Sequence, residues 1–129
     1  MIGWGFDIYR QKGKFFPCNH LKPATQTSEQ GDHVAAWRAE LGGVDWLEDL
    51  ARQQRAFCLI ADRYHPALYT AQAKDVLPLL RVKPPLVMEV PEWIDGRYDK
   101  LIPDFYKSES LISSCAPDEW LMITIWDLS

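Results

Sequence analysis

The segment Trp120–Trp126 constrains the fold more than any other part of this sequence. Every residue in it except Thr124 is apolar, and Pro117, Asp118 and Glu119 precede it. A short apolar run bounded by turn-forming residues is typical of a β-strand that is covered on both faces. The run is also far shorter than the roughly 20 residues that a membrane-spanning helix needs. We therefore expect a strand in the middle of a sheet.

The beginning of the sequence predicts a second strand. Ile2, Trp4, Phe6 and Ile8 alternate with residues that are glycine, charged or hydroxylated. This alternation places one face of a strand on a core. Because the natural neighbour of this strand is the apolar strand near the other end, we expect the N- and C-terminal strands to be adjacent.

Helices are expected between these two strands. The first is predicted from Asp32, with Val34, Trp37 and Leu41 on one face and a Gly-Gly pair at its end. A helix over residues 74–80 contains Pro78, which is expected to interrupt it. Other helices are predicted over residues 45–51 and 104–114.

The remaining segments are predicted to be short strands and loops. Strands are expected over residues 68–71, 86–90 and 57–61, the last of which has a helix tail as the alternative. Residues 11–31 and 92–103 are predicted to be exposed loops. The whole chain, residues 1–129, is therefore expected to be a single globular α+β domain. Its sheet is predicted to be mixed or mainly antiparallel, with about three to five strands packed by three or four helices.

Size and composition favour one soluble domain. The chain has 129 residues, of which 47% are hydrophobic and 25% charged, as is typical of a globular protein with a core. Its three scattered cysteines form no disulfide framework and fit a reducing compartment. The first residues lack the basic segment and uninterrupted apolar run of a signal peptide or membrane anchor. We expect a cytoplasmic protein with no membrane contact.

The charge of the chain is acidic and unevenly distributed. A net charge of −4 argues against nucleic acid as a partner, because Lys and Arg drive phosphate binding. Residues 84–129 contain nine acidic and three basic side chains, which gives this part a net charge of −6. Such a surface attracts a basic protein partner and speeds its association. The alternative is a solvated face that keeps the protein soluble.

Candidates for catalysis or metal binding are sparse. Cys18 and His20 have a spacing compatible with a shared metal, but a zinc site takes four ligands and no other Cys or His pair has ligand spacing. Cys18 or His65 is the reactive residue in the alternative of a small enzyme. The sequence contains no Gly-rich phosphate loop and no metalloprotease or hydrolase motif. We expect a non-enzymatic protein with no catalytic residue, cofactor or metal site.

The acidic and aromatic segment 89–99 is the main candidate for partner binding. It combines aromatic anchors typical of interfaces with carboxylates that pair with Lys and Arg. Its candidate residues are Glu89, Glu92, Trp93, Asp95, Tyr98 and Asp99. The alternative is an ordinary solvated loop in which Trp93 folds inward. Asp45, Glu48 and Asp49 form a second acidic patch, for which complementing a helix dipole is the alternative.

Several short motifs resemble a known class of bacterial proteins. They are Gly3–Tyr9, Tyr69–Ala71, Val76–Pro78, Ala116–Leu121 and Trp126–Asp127. In these motifs the chain is similar to small immunity proteins encoded beside antibacterial toxins of type VI, contact-dependent and polymorphic toxin systems. The resemblance implies a cytoplasmic, non-enzymatic protein that binds a cognate toxin or effector domain and blocks it. It assigns no site residue, and a regulatory accessory subunit and a homodimer remain alternatives.

Overall fold

The structure, a computed structural model, describes residues 2–11, 30–61 and 66–128. Within these ranges the strands are β1 (Trp4–Gln11), β2 (Gln30–Ala39), β3 (Ala56–Ile60), β4 (Ala67–Gln72), β5 (Glu89–Ile94), β6 (Arg97–Pro103), β7 (Phe105–Lys107) and β8 (Trp120–Asp127). The helices are α1 (Asp45–Arg52), α2 (Ala73–Leu80) and α3 (Glu109–Ser114), and a 3-10 turn over Leu41–Val44 precedes α1.

Six of these strands form one antiparallel sheet in the order β3-β4-β8-β1-β2-β7, and β5 pairs with β6 in a separate hairpin. The apolar strand β8 lies inside the sheet and pairs with β1 on one side and β4 on the other. The predicted α+β class and the adjacent terminal strands are therefore confirmed. The prediction of three to five strands is wrong, because the described residues contain eight.

One face of the sheet holds the main core. Phe6, Ile8, Leu121 and Ile123 point to this face from the two central strands and are almost fully buried. The helices cover them with a further set of buried residues, Leu47, Leu50, Val76, Leu77 and Leu80. Full burial of one such side chain stabilises a fold by about 1.5–3 kcal/mol. The alternating pattern of β1 predicted this face correctly.

The second face of the sheet has two different halves. Over β4 and β8 it carries the buried cluster of Leu68, Trp120 and Met122, so that β8 is covered on both faces as predicted. Over β1, β2 and β7 the same face carries polar and exposed aromatic side chains, including Asp7 and Tyr106. The face therefore changes from core to open surface across its width.

The first predicted helix is wrong, because residues 30–39 form the strand β2. The spacing of Val34, Trp37 and Leu41 fits a helix, but β1 and β7 supply hydrogen-bonding partners on both sides of this segment. Ile8 pairs with Ala35 and Tyr9 with His33, so Val34 is the extra residue of a β-bulge. This bulge interrupts the period of two, which explains why alternation did not reveal the strand.

The predicted loop over residues 92–103 is also wrong, because it belongs to the β5–β6 hairpin. The strand predicted over residues 86–90 instead begins at Glu89 and continues through Pro91 to Ile94. Proline is tolerated there because, among the described strands, β5 has a partner on one side only. Asp95 and Gly96 form the two-residue turn with φ values of 51° and 76°, a combination that Asp-Gly adopts readily.

The other predicted elements have mixed outcomes. The helix over residues 45–51 and the strands over 57–61 and 68–71 are confirmed as α1, β3 and β4. The helix α2 runs through Pro78 to Leu80 without interruption. The helix predicted over 104–114 is instead the short strand β7 followed by α3, whose N-cap Ser108 accepts a hydrogen bond from the Leu111 amide.

The loop predicted over 11–31 falls largely outside the described residues. None of the described helices has the length and apolarity needed to cross a bilayer.

Candidate functional site

The β5–β6 hairpin carries all six candidate residues of the segment 89–99. The strand register assigns its side chains to two faces. Pro91 pairs with Leu101 and Trp93 with Tyr98 on one face, whereas Val90 pairs with Ile102 on the other. Asp99 is the extra residue of a bulge in β6, because Glu92 pairs with Lys100 and Trp93 with Tyr98. The hairpin therefore brings Trp93 and Tyr98 together.

The face with Pro91, Trp93, Tyr98 and Leu101, here called the aromatic face, is exposed. Trp93 is 63% and Tyr98 56% accessible to solvent, and Leu101 is 51% accessible. The rings of Trp93 and Tyr98 meet edge to face with centroids 6.1 Å apart. The alternative in which Trp93 folds inward is therefore wrong. Large apolar side chains that remain together in water are typical of interaction sites.

Charged residues surround the aromatic face. Glu89, Glu92, Asp95 and Asp99 outnumber Arg97 and Lys100, so that the hairpin has a net charge of −2. Glu92 lies opposite Lys100, and Asp95 lies in the turn. The hairpin thus combines a net negative charge with exposed aromatic rings.

The base of the hairpin is fixed to β2 and β7. The amide of Met88 donates to the carbonyl of Arg38 over 2.7 Å, and the amide of Asp104 donates to the carbonyl of Met88 over 2.7 Å. Val87 forms a β-bridge with Ala39, and the Arg38 guanidinium pairs with the Asp104 carboxylate. These contacts hold the base, while most side chains of the two strands remain exposed.

The second acidic patch lies elsewhere. Asp45, Glu48 and Asp49 are exposed on α1, and Asp49 forms an ion pair with Arg52. Helix α1 packs against β3, which is the outer strand at the opposite edge of the sheet from β7. Asp45, at the start of this helix, nevertheless lies near Leu86 before the hairpin, because both side chains approach Gly42.

A polar network occupies the open half of the second sheet face. The Asp7 carboxylate accepts a hydrogen bond from the indole Nε1 of Trp126 over 3.1 Å and lies 2.9 Å from Nε2 of His33. The His33 ring stacks on Tyr9 with a centroid distance of 4.7 Å and lies 5.5 Å from the Tyr106 ring. Burial, followed by the negative charge of Asp7, raises the pKa of Tyr9.

A groove of about 470 Å³ runs from this network to the base of the hairpin. Gly5 and Ala36 lie along it with the charged residue Asp7. Its lining also includes Val90 and Ile102 from the inner face of the hairpin, the pair Arg38 and Asp104, and the Tyr106 ring. The volume falls in the range of about 300–1,000 Å³ that is usual for ligand pockets.

A second cavity of about 520 Å³ lies between α2 and α3. Cys115 lies beside it, and burial, followed by the nearby Glu119 carboxylate, raises the pKa of its thiol to about 11. A thiol with so high a pKa is protonated at neutral pH, whereas the thiolate is the nucleophile. Behind Cys115, the buried Glu119 carboxylate accepts hydrogen bonds from Nε and Nη2 of Arg10 over 2.8 and 2.9 Å. The protonated thiol and the Arg10–Glu119 pair are therefore more typical of a structural ion pair than of a reactive centre.

Some of the residues that the sequence suggested for catalysis or metal binding lie outside the part of the chain that the structure describes. Cys18, His20 and His65 lie outside the described residues. In the described part of the chain, no group of three or more His, Cys, Asp or Glu side chains could hold a metal ion. Sequence reasoning missed the network around Asp7, because its members come from distant strands and His33 was assigned to a helix.

Comparison with models of known protein families, with characterised proteins and with solved structures gave no match for this chain.

Proposed function

We propose that this chain is a non-enzymatic binding protein that recognises a basic protein partner through the β5–β6 hairpin. In its most concrete form the proposal is an immunity protein whose hairpin blocks a cognate antibacterial toxin or effector domain. The single observation that carries it is the aromatic face, which remains exposed on a hairpin with an anchored base.

The side chains of the aromatic face are suited to the centre of an interface. Trp and Tyr bury a large area and lose few rotatable bonds on binding, and they are enriched among residues that dominate binding energy. Trp93 and Tyr98 already contact each other in the free protein. This arrangement reduces the ordering that a partner must impose.

The charges of the hairpin favour a basic partner. The hairpin's four acidic and two basic side chains give it a net charge of −2, with both Asp95 and Arg97 at the turn. Complementary charge at the rim of an interface mainly raises the association rate and makes it sensitive to salt. A hairpin with exposed strand edges also suits insertion into a partner's cleft or pairing with a partner's strand.

The test is capture of a partner from the native host on the tagged chain, followed by identification and binding measurements. Trp93→Ala is expected to weaken the complex by at least about 2 kcal/mol, or about 30-fold in affinity, as for a central hot spot. Asp99→Lys is expected to slow association and reduce its salt dependence. Glu48→Lys on α1 is the matched control and is expected to leave both unchanged.

The controls separate the hairpin from other surfaces. Each variant must keep the wild-type unfolding transition, since the residues changed are exposed. Loss of binding in Glu48→Lys alone would place the interface on α1. Unchanged affinity in Trp93→Ala and Asp99→Lys together would refute a hairpin interface. Inhibition of a captured toxin would support the immunity function over a regulatory accessory subunit.

A further inference from the structure

The groove at the base of the hairpin has the composition of a site for a positively charged side chain. Its Asp7 carboxylate is oriented by two donors, His33 Nε2 and Trp126 Nε1, at 2.9 and 3.1 Å. An ionised carboxylate offers about four acceptor positions, so two hydrogen bonds leave capacity for a further donor. The side chain of Asp7 remains 25% exposed, which allows such a donor to reach it.

Aromatic rings flank this carboxylate. Tyr106 lines the groove and is exposed, and the Trp126 ring, also exposed, donates its N–H to Asp7. The faces of such rings attract ammonium and guanidinium groups, most strongly in partly desolvated positions. Because Trp126 directs its N–H edge at Asp7, the exposed Tyr106 ring in the groove lining is the one that would add such a contact to the charge of Asp7.

The charge balance of the groove also favours a cation. Arg38 is paired with Asp104, so that these two charges largely cancel. Asp7 then supplies the remaining negative charge among the residues that line the groove. The floor at Gly5 and Ala36 lacks long side chains, which leaves room for an incoming one.

We propose that this groove receives a lysine or arginine side chain of the same protein partner that docks on the aromatic face. The inference rests on the proposed function, since Val90 and Ile102 line the groove from the inner face of the same hairpin. The aromatic face supplies apolar anchoring, and the groove supplies a specific position for one positive charge of the basic partner.

The experiment uses a small probe, so that it needs no partner. The ¹⁵N-labelled chain is titrated with Nα-acetyl-arginine amide while the indole N–H resonance of Trp126 is followed, and Trp126→Phe assigns that resonance. Saturable shifts are expected with the arginine probe, and Nα-acetyl-citrulline amide, its neutral analogue, is expected to give none. Equal shifts with both probes, or no saturable shift with the arginine probe, would overturn the proposal.

Two variants test the residues themselves. Asp7→Asn removes the charge, keeps an oxygen that accepts from Trp126 and places an amide group opposite His33 Nε2 in place of the second carboxylate oxygen. It is expected to weaken probe binding at least about tenfold, as for loss of a charged hydrogen bond. Tyr106→Leu lies outside the hydrogen-bonded network and is expected to weaken binding about two- to fivefold through the lost ring contact. Wild-type probe affinity in both variants would refute the assignment.

Failure of this proposal is distinguishable from failure of the proposed function. If Trp93→Ala weakens the captured complex and Asp7→Asn does not, the hairpin interface stands and the groove proposal is wrong. If Asp7→Asn weakens both the complex and probe binding, both proposals are supported.

Discussion

The ion pair between Arg10 and Glu119 gives the sharpest test of what stabilises this fold. The Glu119 side chain is only 2% exposed and accepts two hydrogen bonds from the Arg10 guanidinium, at 2.8 and 2.9 Å. These bonds are the main reason that the pKa of Arg10 is raised, while burial acts in the opposite direction. The pair joins β1 to the residue just before β8, so its loss affects the centre of the sheet.

Replacing Glu119 by Gln keeps the shape of the side chain and removes its charge. Each hydrogen bond between charged groups contributes about 1.5–3 kcal/mol, so two would contribute about 3–6 kcal/mol. The Arg10 side chain is 24% exposed to solvent, and the amide oxygen of the glutamine still accepts one hydrogen bond. We therefore expect Glu119→Gln to lower the free energy of unfolding by about 2–4 kcal/mol.

Urea denaturation followed by tryptophan fluorescence measures this loss, with Trp120 adjacent to the altered position. The control is the double variant Arg10→Met with Glu119→Leu, which leaves no unpaired buried charge and is expected to be more stable than Glu119→Gln. A loss below about 0.5 kcal/mol in Glu119→Gln, within the range of ordinary surface changes, would refute the idea that this pair supports the sheet.

Two further predictions concern close packing and ionisation. A Cβ on Gly3 would lie 2.2 Å from the Ala39 carbonyl oxygen, whereas one on Gly5 meets nothing closer than 3.5 Å. Gly3→Ala is therefore expected to lower the free energy of unfolding by about 1–3 kcal/mol, whereas Gly5→Ala is expected to change it little. Equal losses of unfolding free energy in the two variants would contradict the close approach of Gly3 to Ala39. Because the pKa of Cys115 is raised from 9.0 to about 11 in the folded state, its contribution to stability is present below pH 9 and is lost as pH rises towards 11. Urea midpoints should fall less across that pH range in Cys115→Ala than in the wild type, and identical slopes would contradict this assignment.

The central strands could be predicted from sequence because each carries its own signal. β8 is apolar throughout and β1 alternates, so the pattern of each strand indicates which faces are buried. β2 could not be recognised in this way. Its bulge at Val34 interrupts the alternation. Trp37 follows Val34 by three residues, which is also the spacing of side chains on one face of a helix.

The hairpin carried a local signal, and the groove carried none. Asp95-Gly96 between two pairing segments is the usual mark of a two-residue hairpin turn, and using it would have revealed β5 and β6. The polar network at one end of the groove joins Asp7, His33 and Trp126, which come from three different strands. Only the strand order brings them together, and that order does not follow from any local pattern.

The position of β8 has a consequence for how the protein forms during synthesis. Among the described strands of the sheet, β3 and β4 are joined to β1, β2 and β7 only through β8, which follows all of them in the chain. Until β8 emerges from the ribosome, β1 and β4 each present an unpaired backbone edge, and such edges promote aggregation. Assembly of the sheet is therefore a late event with mainly long-range contacts, which slow folding.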